Sequence, residues 1–392
     1  KHACANKKDK NMRPAAINID KTFILMRKIF IILAFSIALV GCKSSNERLL
    51  TSATGTIYEC LVVMPNRPLS GEALETIANT SIAKETGSAY QEPISTTYDL
   101  VKHTLGADMY GLPQMEPYMV LTQVSQRQFD DYLKPTRNIL IIDINKDKYT
   151  QVKVHRGRNQ WSQPQAIYRI QAPDDESWVA FWLAHGEQVR EWFIREELSR
   201  QAHFYRASTN KTARSAMQKK GIDMLIPEDY MMLMDTLLSD EDIEVVWCCN
   251  NKGSMRRDVV VYSYPYTSQE QFSNTAICSM RDEVLGRIVS AQVEGSRMGT
   301  EYKYFPPISR QVQALQSDTI QNDTLPPPFY AIETRGLWKI IDGEAMGGPF
   351  VSLTRLDMVR GRVVTAEAFI YASGQKKRNA LRQAEAILYT LD

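Results

Sequence analysis

Residues 329–373 read FYAIETRGLWKIIDGEAMGGPFVSLTRLDMVRGRVVTAEAFIYAS. Three runs in this stretch, 329–341, 349–357 and 362–373, are rich in β-branched and aromatic residues and are separated by turn residues, so they predict strands. The turn Val359 to Arg362, VRGR, makes a hairpin of the last two. Working outward, GIDMLIP (221–227), IEVVWCCN (243–250) and DVVVYSYPY (258–266) predict three more strands, followed by a helix over about 269–289. A final helix over 376–391 puts Leu381, Ala384, Leu388 and Leu391 on one face, which should dock on the sheet. Runs of strands followed by single helices predict an α+β fold of mostly antiparallel sheets flanked by helices, rather than alternating βα units.

The preceding half has a similar order of elements. IYECLVVM (57–64) predicts a strand ended by Pro65, and a weak helix follows around Gly71 to Asn79. YMVLTQV predicts a strand and Ser125 to Leu133 a short helix, while the continuous apolar run of RNILIIDIN (137–145) predicts a central strand covered on both faces. Two further strands are expected near 150–156 and 166–171. Asp174 or Asp175 can cap the strongest helix, from about Ser177 past Tyr205, where Trp178, Phe181, Trp182, His185, Val189 and Trp192 recur at three- and four-residue steps. This stripe reads as core, with His185 a hydrogen-bonded core histidine; HGEQVRE lacks the second His of a metalloprotease helix. Lys211 to Lys220 forms another helical piece closed by Gly221. The chain therefore divides into an N-terminal α+β half, 57–220, and a C-terminal α+β half, 221–392, with an exposed loop at 311–328. The shared order admits two related α/β sandwich halves, although no clear sequence repeat joins them.

Ahead of these halves, Met26 to Cys42 reads MRKIFIILAFSIALVGC. Basic Arg27 and Lys28, an apolar run and a small-residue cleavage site are the parts of a secretory signal peptide in order, 26–41. The apolar run, closed by Gly41 and Lys43, falls short of the roughly 20 residues of a membrane span. Leu39, Val40, Gly41 and Cys42 resemble the lipobox of bacterial lipoproteins. That resemblance implies a mature chain beginning at a lipidated Cys42, with 42–56 as a tether and 1–25 as an upstream extension before the true initiator. Lys43 in place of an Asp retention signal implies the outer membrane, facing the periplasm or the medium.

The 47 basic residues nearly balance the 45 acidic ones, so nothing electrostatic favours a nucleic-acid partner. Of six cysteines, Cys60, Cys248, Cys249 and Cys278 remain in the mature body. Vicinal Cys248 and Cys249 in a strand point to opposite faces and cannot easily bridge each other. A bridge to Cys278 or Cys60 is open, and small buried apolar side chains are the favoured reading. No spacing suggests a metal site or a cofactor.

The motifs LPQMEP (112–117), RNILIIDI (137–144), WSQPQ (161–165), GIDMLIP, RRDVVVYSYPY (256–266), MGTE (298–301) and RGLWKIIDGEAMGGPFVSLTRLD (335–357) resemble an uncharacterised lipoprotein family of Bacteroidetes, domain-of-unknown-function family 4837. The resemblance implies an envelope protein, runs over nearly all of the mature chain and supplies no reaction. In strand order the second half is similar to the Mog1 and PsbP type of α/β/α sandwich, which implies a fold and no function.

The densest cluster of special residues lies in 335–357, read as a long hairpin loop. Arg335, Trp338, Asp342, Gly347, Gly348 and Asp357 are its candidate binding residues, because a Gly-Gly-Pro turn brings bare backbone amides close to a ligand. The competing structural reading has glycines supplying positive φ and an Arg–Asp ion pair. Arg256, Arg257 and Asp258 read as a charged hairpin turn. The expected function is a non-catalytic envelope protein binding a partner protein or polymer; the alternative is a hydrolase of cell-wall or glycan substrate working through acids such as Asp342 and Asp357. In the loop 311–328, Thr319 and Thr324 stand in two copies of an Asp-Thr-aliphatic pattern similar to the O-glycosylation acceptor of exported Bacteroidetes proteins.

Because the Cys42 thiol is the only attachment point in this reading, Cys42→Ala should abolish incorporation of a clickable fatty acid. Equal labelling of the two proteins would refute it.

Overall fold

In the computed structural model, which describes residues 50–80, 93–238, 240–289, 293–313 and 330–391, the chain is in place from Leu50. The expected signal peptide and Cys42 lie outside the described residues. The expected tether ends earlier than Thr56: β1 (Thr51–Ser52) pairs in parallel with Ser162–Gln163, and Thr54 bridges to Thr136. Five strands then build the first sheet. They are β2 (Glu59–Val63), β3 (Val120–Val124), β4 (Asn138–Ile144), β5 (Lys153–Arg158) and, after the short β6 (Ser162–Gln163), β7 (Ala166–Ala172), in the order β3-β2-β4-β7-β5. β4 is central and its apolar run is buried on both faces, as its sequence predicts.

This sheet is mostly parallel, and only β5 runs antiparallel to its neighbour. Parallel neighbours need crossovers of a dozen or more residues. The helices α1 (Gly71–Ala78) and α2 (Thr97–Leu105) lie between β2 and β3 and provide one. Residues 125–133 form turns rather than the expected helix.

The expected long helix is α3 (Asp175–Ala207), with Asp174 accepting from the Ser177 amide at 2.8 Å as the N-cap. Its apolar stripe changes partner halfway along. Trp178, Trp182, Val189 and Phe193 pack on the first sheet with α1 and α2, whereas Ile194, Leu198 and Tyr205 join the core of the second half. Gly186, unfavourable in a helix, is needed because Trp182 lies over it: an added Cβ would meet the indole Nε1 at 2.9 Å. That nitrogen donates to Thr104 on α2 at 3.0 Å. His185 is exposed, not in the core, and bonds Gln188.

After α4 (Lys211–Lys219) come β8 (Met231–Leu238), β9 (Ile243–Asn250), β10 (Arg256–Pro265), α5 (Asn274–Ile288), β11 (Arg297–Thr300), β12 (Ile308–Gln313), β13 (Tyr330–Ile341), β14 (Gly347–Asp357), β15 (Arg362–Tyr371) and α6 (Arg378–Leu388). The strands form one antiparallel sheet, β11-β13-β14-β15-β10-β9-β8, with β12 also paired to β13. GIDMLIP is not one of its strands. Gly221 has positive φ, and Ile222, Met224 and Ile226 anchor the segment in the core as an irregular run, while Pro227 offers no amide to a ladder. The edge strand is Met231–Leu238 instead. Gln311 to Gln313 belong to β12 rather than to the expected loop, whose remainder, with Thr319 and Thr324, lies outside the described residues.

α5 covers one face of this sheet through Val284 and Leu285. α6 covers the other through Leu381, Ala384, Ile387 and Leu388. The second half is thus a three-layer α/β/α arrangement within an α+β chain, and the different strand connections of the two sheets set the halves apart. Leu50–Asp392 is one compact unit holding all four apolar cores, so this part is expected to fold on its own.

Glu197, buried on α3, accepts from Arg137 at 2.7 Å, Asn138 at 2.7 Å and Arg200 at 3.1 Å, fixing the helix to β4. Removing one partner strands the others in low dielectric. Glu197→Ala should cost about 3–5 kcal/mol of unfolding free energy, as read by urea titration.

Candidate binding site

Trp338 and Gly348 face each other across β13 and β14, and two residues on, Phe350 pairs with Phe369 of β15 in the adjoining ladder. Side chains are missing from this part of β14 for a reason. A Cβ on Gly347 would lie 2.6 Å from the Trp338 carbonyl oxygen, and one on Gly348 would run into the Ile370 carbonyl. The two glycines therefore let β14 approach both neighbours, and the Trp338 indole lies across Gly348, its Nε1 donating to the Ile370 carbonyl at 3.2 Å. Trp338 meets Phe369 edge-on, with centroids 5.9 Å apart, and Tyr371 at 6.2 Å.

These aromatic rings floor a half-enclosed pocket of about 440 Å³. Ile288 and Val289 at the end of α5 line its sides together with Met298, Ile340 and Met346. At its polar end, Trp247, Arg256 and Asp258 come from β9 and β10. The Asp258 carboxylate accepts from the Trp247 indole at 2.8 Å and from Arg256 through Nε at 2.8 Å and Nη2 at 2.9 Å. Asp258 is fully buried, whereas the Arg256 side chain is 37% exposed. The bond to Asp258 raises the Arg256 pKa further, so the guanidinium stays charged. Arg256 and Asp258 are thus not the charged turn that their sequence suggests. They open β10 on its pocket face, and residues 251–255 make the turn.

The six candidate binding residues do not assemble into one site. Trp338 lines the pocket, and Gly347 and Gly348 lie on the strand paired beside Trp338 without lining the pocket. Arg335 is buried on the other face of the sheet, its Nε donating to Glu333 at 2.8 Å and its Nη2 to Glu385 on α6. Its partners are glutamates rather than the expected aspartate. Asp342 has φ of 55° in the exposed turn before β14, and Asp357 closes the turn after it, accepting from Arg360 Nε at 2.7 Å. Asp342 precedes the eleven-residue β14 and Asp357 is its last residue, so the two acids stand roughly 30 Å apart at strand spacing, far beyond the roughly 5–10 Å of a glycosidase pair.

A second, polar cleft of about 580 Å³ lies between α3, β12 and α6, lined in part by Glu191, Arg195, Arg310, Glu385 and Tyr389. Its charges brace the fold. Arg310 reaches Glu333 through Nε at 2.9 Å and Glu191 at 3.1 Å, and Tyr389 donates to Glu333 at 2.9 Å. Burial alone would push Glu333 up, but Arg335 and Arg310 outweigh it and hold the carboxyl well below the usual range. Burial likewise opposes ionisation of Glu191, and Arg310 overcomes it. Acids held ionised in this way are poor proton donors. Cys60, Cys248, Cys249 and Cys278 are buried free thiols. Burial pushes Cys248 and Cys278 up to about 12 and Cys249 up to about 11. Among the described residues no helix is long and apolar enough to cross a membrane.

The two halves also match different families. Residues 208–390 match the family described as Domain of unknown function (DUF4837), and residues 95–206 match Domain of unknown function (DUF8532). The DUF4837 match covers the second half of the chain rather than nearly all of the mature chain. No curated protein matches the chain significantly.

Placed as a brace, Arg335 should be needed for stability and Asp342 should not. Arg335→Ala removes the guanidinium shared by two buried glutamates, leaving Glu333 to Arg310 and Glu385 to Arg382, an expected loss of about 3 kcal/mol. Asp342→Ala should change unfolding free energy by no more than about 1 kcal/mol, both measured by chemical denaturation.

Proposed function

We propose that the protein is a non-catalytic binding protein of the cell envelope, held at the outer membrane by lipid on Cys42. Its aromatic pocket takes up an apolar group of an envelope component, whether a partner protein, a polymer or a small molecule. The observation that carries this reading is the pocket itself. Its walls are apolar and preformed, and its single carboxylate is already filled by three donors. A concave, mostly apolar site with a few fixed polar groups is the usual design of a ligand site. A carboxylate saturated by fixed donors is a poor base or nucleophile. The lipobox at Leu39 to Cys42 supports the anchor, and the near-neutral charge balance gives no support to a nucleic-acid partner.

Native mass spectrometry of protein purified from its own host's envelope tests this. A bound mass, or a crosslinked partner, should accompany the wild type and be lost from Met346→Trp, in which a larger ring fills the pocket. An equal yield from both proteins would count against the pocket as the binding site.

A further inference from the structure

The pocket's polar end restricts what it can hold. A guanidinium presents two forks of N–H donors: Nε with one terminal nitrogen at its side, and the two terminal nitrogens at its end. In Arg256 the side fork is taken by Asp258. The outward N–H groups of its end fork, on Nη1 and Nη2, make no hydrogen bond among the described residues, and the side chain is part exposed. Asp258 already accepts three hydrogen bonds, so it offers a ligand little. What the site lacks is an acceptor, and the best match to a planar fork is a carboxylate. The same chain shows one guanidinium serving two carboxylates elsewhere: Arg310 joins Glu333 to Glu191, and Arg335 joins Glu333 to Glu385. The same pocket is lined by the rings of Trp338, Phe369 and Tyr371 and the side chain of Met298, apolar groups apart from the Tyr371 hydroxyl and the Trp338 indole N–H, which is taken by the Ile370 carbonyl.

We propose that the pocket binds an apolar monocarboxylic acid, its carboxylate on the end fork of Arg256 and its aliphatic or aromatic body over Trp338 and Phe369. This rests on the reading of the pocket as a ligand site and adds the chemical class of the ligand. About 440 Å³ admits one small amphiphile.

The test uses the chain from Lys43 onward, which contains the whole compact unit, with decanoate and 1-decanol as probes and tryptophan emission as the readout, since Trp247 and Trp338 line the pocket. Decanoate should change the emission saturably and bind at least about tenfold more tightly than decanol, the effect of one charged hydrogen-bonded contact. Arg256→Gln should remove that preference and leave decanol binding unchanged, while Met346→Trp should block both probes. Equal affinity of the wild type for acid and alcohol would overturn the acid assignment and leave the pocket reading standing. Binding of neither probe, or binding undiminished by Met346→Trp, would overturn both. If Arg256→Gln proves unstable because Asp258 loses its partner, the ratio of acid to alcohol affinity in the wild type decides the matter alone.

Discussion

One helix has to satisfy two sheets. α3 lays its first half on a mostly parallel sheet and its second half on an antiparallel one, so its apolar stripe cannot end at a domain boundary. The transition falls between Phe193 and Ile194, and there the helix carries Glu191, Glu196 and Glu197. Each of these acids meets an arginine from another element: Arg310 from β12, Arg158 from β5 and Arg137 beside β4. Such pairs add little net stability over an apolar contact, but breaking one is costly, so they fix position rather than add cohesion. The helix is thereby held in one register against both sheets.

The second half inherits its layering from this arrangement. The face of its sheet toward α3 is closed by α6 and crossed by the Glu333, Arg335 and Glu385 network. Glu116, from the loop before β3, accepts the backbone amides of Lys377 and Arg378 at the start of α6, at 2.6 and 3.2 Å. A carboxylate from the first half thus caps a helix of the second, satisfying amides that no local side chain reaches. The opposite face is covered by α5 only in part. Beyond its last turn the rings of Trp338, Phe369 and Tyr371 line a pocket, and Gly348, paired with Trp338, adds no side chain there.

The strand runs at the end of the chain, the central apolar strand at 138–144 and the capped aromatic helix at 175–207 were legible because each has a local period and clear stops. The strand at 231–238 was not. Its side chains alternate between exposed and half-buried, and the neighbouring GIDMLIP is apolar enough to resemble a strand while packing as an irregular anchor. The parallel pairing of β2, β3 and β4 was illegible for a different reason: pairing direction is a property of crossovers, and strand composition alone does not carry it. At the pocket, Trp338 and the two glycines stood out in sequence. Arg256 and Asp258 did not, because a charged pair after a turn looks like surface until its strand is known to be central.

The sequence by itself determined the secondary elements with strong periods, the α+β class, the apolar face of the last helix and the presence of a glycine pair before the strand at 349–357. These depend on spacing along the chain and on the conformations each residue type tolerates. Only the tertiary structure decided that Arg335 is a buried brace, that Asp342 and Asp357 stand at opposite ends of a strand, and that Trp247, Arg256 and Asp258 share a pocket with Trp338. Those relations join residues on strands β9, β10, β13 and β15, as far apart in sequence as Trp247 and Tyr371, and the hydrogen-bond register of the folded sheet sets their distances.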